Sequence, residues 1–100
     1  MPKTSAKPVT RRSRSAPEGR RNASRRALGA TLRSYREARG LSQEQLGFRA
    51  DLHRNYIGSA ERGERNIAFE ALGLWLAALN VSWAIFGAKL DRALNEIGSR

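Results

Sequence analysis

The sequence predicts an all-α domain of five helices behind a basic N-terminal tail. Three observations predict it. From residue 24 onward, apolar side chains recur at spacings of three and four, the period of a helix face. No stretch alternates apolar with polar residues, and no hairpin turn signal occurs. Residues that tolerate a left-handed backbone (Gly40, Asp51, Gly63 and Asn80) fall between the helical stretches.

The first helix is expected over Arg25–Ala38, with Leu28, Leu32 and Tyr35 on one face and Gly40 ending it. Ser42 caps the second helix, and Gln45 stands three residues later to complete a capping box. Leu46 anchors that helix inward, and Gly47 lets another backbone come close. Asp51 takes the turn. The third helix is expected over Arg54–Arg62, with Ile57 and Ala60 facing inward. Its internal Gly58 costs about 1 kcal/mol relative to Ala, so packing must hold this short helix. The fourth spans about Ala68–Leu79, with Phe69, Leu72, Trp75, Leu76 and Leu79 as its apolar face. Ser82 caps the fifth, about Trp83–Ile97, whose stripe is Trp83, Phe86, Leu90, Leu94 and Ile97.

Charge divides the chain in two. Residues 1–26 hold nine Lys or Arg against the single acid Glu18, while residues 27–100 hold ten basic and eight acidic side chains. The net charge of +10 therefore belongs mostly to the tail. All three prolines lie in residues 1–23, where large apolar side chains are almost absent. Such a segment cannot offset its ordering entropy by burial, so residues 1–23 are expected to be disordered and residues 24–100 to form the domain. The tail reads either as a loose attractor of phosphate or as a solubilising extension. Its Arg- and Ser-rich, acid-poor start also resembles an organelle transit peptide.

Several functions are disfavoured. Without cysteine, and with His53 as the one histidine, neither a disulfide nor a Cys/His metal cluster can form. No cofactor is implied. No Ser–His–Asp set, paired carboxylates or Gly-rich phosphate loop appears, so an enzyme is not expected. Apolar runs are too short to span a bilayer, and no secretory signal precedes the domain, so a cytoplasmic, nucleoid-associated bacterial protein is expected.

The stretch Leu41–Asn66 carries the functional signal. Two short helices joined by a tight turn, with polar side chains at the start of the second, make a unit that fits a DNA major groove. If Ile57 and Ala60 point inward, Arg54, Asn55, Gly58 and Ser59 fall outward, with Tyr56 at the flank. Arg suits a bidentate contact with guanine and Asn one with adenine, each discriminating by about 1–3 kcal/mol. Gly58 leaves room for a sugar–phosphate wall or a thymine methyl. Gln43, at the first turn of the second helix, can hold a phosphate, with Arg65, Asn66 and His53 as further phosphate contacts. Any helical hairpin with a polar face satisfies this spacing, so spacing alone leaves an inert surface open.

The same residues closely resemble the Cro/repressor (XRE) type of helix-turn-helix domain. The resemblance rests on Leu41-Ser42-Gln43-Glu44, Leu46-Gly47, His53-Arg54-Asn55-Tyr56-Ile57-Gly58 and Glu61-Arg62-Gly63-Glu64-Arg65-Asn66, and covers about Leu28–Phe86. It implies a lambda-repressor-like five-helix fold. It also implies that Gln43 binds backbone phosphate and that Arg54, Asn55, Tyr56 and Ser59 occupy base-reading positions. Arg36 and Glu61 match an ion pair that ties the first helix to the third. Three positions depart from the pattern: His53 replaces a Ser or Thr cap, Gly58 a commoner Ser, and Ile67 a Pro. Within the family, Leu52–Asn66 and the ending Leu79-Asn80-Val81-Ser82…Ile85-Phe86 look most like restriction–modification controller proteins, small dimeric regulators. The long basic tail is not typical of those.

The expected partners are double-stranded DNA with a palindromic operator, a second copy of the chain, and RNA polymerase; no membrane or small-molecule ligand is evident. Phe86, Leu90, Leu94 and Ile97 are expected to form the dimer interface, an apolar strip too long for a small core to cover. Rival readings are an antitoxin with a protein partner, a prophage or plasmid repressor of the same fold, and an architectural DNA binder driven by the tail.

Overall fold

The computed structural model describes residues 18–98. Five helices account for most of them: α1 (Glu18–Ala38), α2 (Gln43–Ala50), α3 (Arg54–Glu61), α4 (Phe69–Leu79) and α5 (Trp83–Gly98). The described residues contain no strand.

Local chemistry explains most of the boundaries. Ser42 Oγ accepts from Gln45 N at 3.0 Å and Gln45 Oε1 accepts from Ser42 N at 2.8 Å, a reciprocal capping box at the start of α2. Asp51 closes α2 at φ 60° and Asn80 closes α4 at φ 58°, the left-handed position that Asp and Asn reach at least cost. His53 caps α3 through Nδ1, which accepts from Asn55 N at 3.0 Å. Ser82 Oγ accepts from Ile85 N at 3.1 Å and starts α5. Residue 68 has no capping side chain of its own, and its N–H is taken instead by the Tyr56 hydroxyl at 3.2 Å.

The core is continuous across all five helices. Leu32, Leu46, Ile57, Trp75, Leu76 and Leu79 are fully buried, and Leu41, Ala60, Val81 and Phe86 complete the cluster. Ile67 packs against it from the α3–α4 connection. α1 lies along α5 and α3, while α2 packs between α3 and α4. The α1–α3 approach is so close that a Cβ at Gly29 would overlap the Ala60 carbonyl oxygen.

Two expectations are corrected here. α1 begins at Glu18 rather than at Arg25, so residues 18–23 of the expected tail are helical; residues 1–17 lie outside the described residues. The added turns have something to pack on, because Ala23 and Ala27 come alongside Ala93 and Ile97 of α5. One residue of the expected dimer strip, Phe86, belongs to the monomer core. Phe86 is 2% exposed and packs inside the monomer, 6.4 Å from the Tyr35 ring. Leu90 rests against the core, Leu94 and Ile97 are half-buried, and Ile97 lies beside Ala23 and Ala27 of α1. The apolar side chains left exposed lie elsewhere: Phe69 (74%), Leu74, Trp83 (48%), Ile85 and, on α2, Phe48. Phe69, expected in the core face of α4, instead stacks on Trp83 with ring centroids 5.3 Å apart.

Candidate nucleic-acid interface

α3 is held from behind. Ile57 and Ala60 have no exposed surface, so the opposite side of the helix must face solvent. The turn into α3 is tight because Gly47 has no Cβ, and one there would overlap the Leu52 carbonyl oxygen. Arg54 and Asn55, in the leading turn, are exposed.

A buried ion pair sets the position of this helix. Arg36 on α1 donates from Nε to Glu61 Oε2 at 2.7 Å and from Nη2 to Oε1 at 2.9 Å. Its Nη1 donates to the Leu41 carbonyl at 2.7 Å. Gln43 Nε2 adds a bond to Glu61 Oε1 at 3.0 Å. Glu61 at the end of α3 thus gathers α1 and the first residue of α2 at one carboxylate. The hydrogen bond to Glu61 raises the pKa of the Arg36 guanidinium, against the opposing effect of burial.

One flank of α3 is bonded within itself. Arg65 lies over the Tyr56 ring at 5.0 Å and donates from Nε to Ser59 Oγ at 2.8 Å. Ser59 Oγ in turn donates to the Tyr56 carbonyl at 3.2 Å. Tyr56 and Ser59 are half-buried, and Asn66 is exposed just beyond them.

The other flank opens into a shallow polar depression lined by Gln43, Arg54, Asn55, Gly58 and Arg62. Gly58 lies at its floor, buried under the Gln43 amide and the Arg62 guanidinium. Two exposed ion pairs border it. Glu44 Oε1 stands 3.7 Å from Arg54 Nη1. Glu64 takes Arg62 by two prongs, Nε at 3.0 Å and Nη2 at 3.1 Å. Those bonds hold the Glu64 carboxyl below its ordinary range and raise Arg62. The surface therefore offers two guanidiniums and two amides converging beside the leading turn of a short helix, donors suited to base edges and phosphate.

A helix-turn-helix family model matches residues 32–86, more than half of the chain. The chain belongs to the helix-turn-helix family of the Cro/repressor (XRE) type. Control protein C.SmaI of Serratia marcescens is 51% identical to this helix-turn-helix chain over 55 residues, 55% of this chain and 66% of that protein. The chain thus spans slightly less than two thirds of that relative. Among solved structures, the clp gene regulator ClgR from Corynebacterium glutamicum superposes with a TM-score of 0.70 at 28% identity, over 76% of this chain and 81% of that one. The tetramer of the restriction–modification controller protein C.Esp1396I, in complex with its natural 35 base-pair operator, superposes with a TM-score of 0.65 at 29% identity, over 69% and 91%.

Within this helix-turn-helix domain, the residues singled out by sequence take different places. Arg54 and Asn55 are exposed on the leading turn of α3, with Arg54 beside Glu44. Tyr56 and Ser59 lie at its side, engaged with Arg65 and Ala68. The Gln43 amide nitrogen donates to Glu61 from the first turn of α2. The His53 ring caps α3 by accepting at Nδ1, which leaves Nε2 as its N–H donor. Gly58, expected on the open face, is roofed over. Sequence reasoning missed Arg62, treated only as the end of the helix. A usable signal existed, because Asn55, Gly58 and Arg62 are spaced by three and four and share one helix face.

Proposed function

We propose that this protein is a sequence-specific transcriptional regulator that binds double-stranded DNA as a homodimer, of the restriction–modification controller kind. The observation that carries the reading is the leading turn of α3, where Arg54 and Asn55 project outward while Ile57 and Ala60 lock the helix from behind. That is the presentation base-edge contacts in a major groove need. The helix-turn-helix match over residues 32–86 covers this region, control protein C.SmaI is 51% identical over 55 residues, and a solved relative of the same fold carries its operator. The role is binding rather than catalysis, exercised on DNA in a bacterial cytoplasm. No single helix among the described residues is long and apolar enough to cross a membrane.

The dimer in this proposal uses the exposed apolar side chains of α4 and the start of α5, namely Phe69, Leu74, Trp83 and Ile85. An apolar surface of this kind left in water marks an interface. A two-fold pair then places two reading helices about 34 Å apart, matched to half-sites one turn apart. Such a site regulates either by occluding RNA polymerase or by contacting it, and transcription in vitro separates the two.

The test is selection of bound duplexes from a random pool with the full chain. A palindromic consensus is expected, together with a loss of preference of about 1–3 kcal/mol at one base pair in Arg54→Ala. Recovery of no consensus, or equal losses on selected and random DNA, counts against the reading. A general repressor of the same fold is the second reading, favoured by the likeness to ClgR, and the genes beside a selected site distinguish it.

A further inference from the structure

We propose that Arg62 is a further phosphate-binding residue of this interface, and that Glu64 is the residue that positions it. The inference rests on the DNA-binding reading above. Arg62 follows the last residue of α3 and reaches back along the helix. Its guanidinium divides its donors. Nε and Nη2 are both occupied by the Glu64 carboxylate, at 3.0 and 3.1 Å. Nη1 lies 3.4 Å from where a Gly58 Cβ would stand, on the wall of the depression that also holds Arg54, Asn55 and Gln43. The fork on Glu64 thus turns the remaining amino group toward the polar floor beside the reading turn.

Gly58 makes this arrangement possible. A Cβ there would stand 3.2 Å from Gln43 Oε1 and 3.4 Å from Arg62 Nη1, and a longer side chain would push both away. Gln43 is itself fixed by Glu61, so it cannot yield freely. The absence of a side chain at residue 58 lets an arginine from the far end of α3 meet the first turn of α2. Backbone N–H groups at a helix start and a planar guanidinium are both suited to a phosphate oxygen. A phosphate in this place fixes register without reading sequence.

The experiment measures affinity of the full chain for its selected site and for a random duplex across a salt series, beside thermal midpoints. Arg62→Ala is expected to weaken both complexes by about tenfold and to lower the salt slope by about one, with little change in midpoint. Arg62→Lys should keep the slope but recover only part of the affinity, because an ammonium cannot grip Glu64 by two prongs and reach the depression together. Glu64→Gln should fail to tighten binding, although it removes a negative charge from a DNA-facing loop. Unchanged slope and affinity in Arg62→Ala, with a shift in midpoint alone, would show that the pair merely closes the turn after α3. Tighter binding by Glu64→Gln on both duplexes would overturn its positioning role. If the wild type selects no sequence yet binds random DNA, the function fails, while the salt series on random duplex still decides the role of Arg62. If it binds no DNA, both fail.

Discussion

Arg36 and Glu61, 25 residues apart, meet as a two-pronged buried ion pair whose carboxylate also takes the Gln43 amide. α1, α2 and α3 are thereby registered at a single group at the end of α3. Three donors satisfy it, which is what makes burying the charge tolerable.

Removing one member strands the other. Arg36→Ala or Glu61→Ala is expected to cost about 3–5 kcal/mol in urea unfolding. Replacing both with apolar residues of similar volume, Arg36→Met with Glu61→Leu, should cost much less, because no charge remains buried. A double variant as unstable as the singles would show that the hydrogen bonds to Leu41 and Gln43 matter more than the stranded charge.

Gly29 and Gly19 should respond oppositely to alanine. At Gly29 the new Cβ runs into the Ala60 carbonyl, so α1 and α3 must part, and a loss of about 1–3 kcal/mol or more is expected. At Gly19 nothing lies within reach, and the helix should gain up to about 1 kcal/mol. Thermal denaturation of the two variants reads both signs.

Tyr56→Phe tests how much of Tyr56 belongs to the fold. Its hydroxyl accepts from Ala68 N at the start of α4, where no capping side chain exists. A loss of about 0.5–1.5 kcal/mol is expected from that bond. A stability loss with operator preference intact assigns the hydroxyl to capping; a change in preferred sequence assigns it to base reading as well.

The exposed apolar side chains of α4 and α5 and the half-buried end of α5 are separable by sedimentation. Trp83→Ala, or Phe69→Ala together with Ile85→Ala, is expected to give folded monomers at concentrations where the wild type is dimeric. Leu94→Ala should instead lower monomer stability, because Leu94 is half-buried within the monomer. Dimers that survive the Trp83 and Phe69 changes but dissolve in Leu94→Ala would return the interface to the strip expected from sequence.

The helix count, the turns and the α2–α3 hairpin were legible in the chain because their signals are local. The capping box at Ser42 and Gln45, the left-handed Asp51 and Asn80, and the inward Ile57 and Ala60 all act within a few residues of themselves. Tertiary packing decided the rest. Whether residues 18–23 become helical depends on α5 offering Ala93 and Ile97 as a surface, a contact about seventy residues away in sequence. Tertiary packing also put Phe86 in the core and left Trp83 and Phe69 on the surface, because a helical stripe specifies a face but not which neighbour covers each turn. Arg62 was hidden for a related reason. Its direction is set by Glu64 and by the space over Gly58, and neither is visible until the helix and its following turn are folded together.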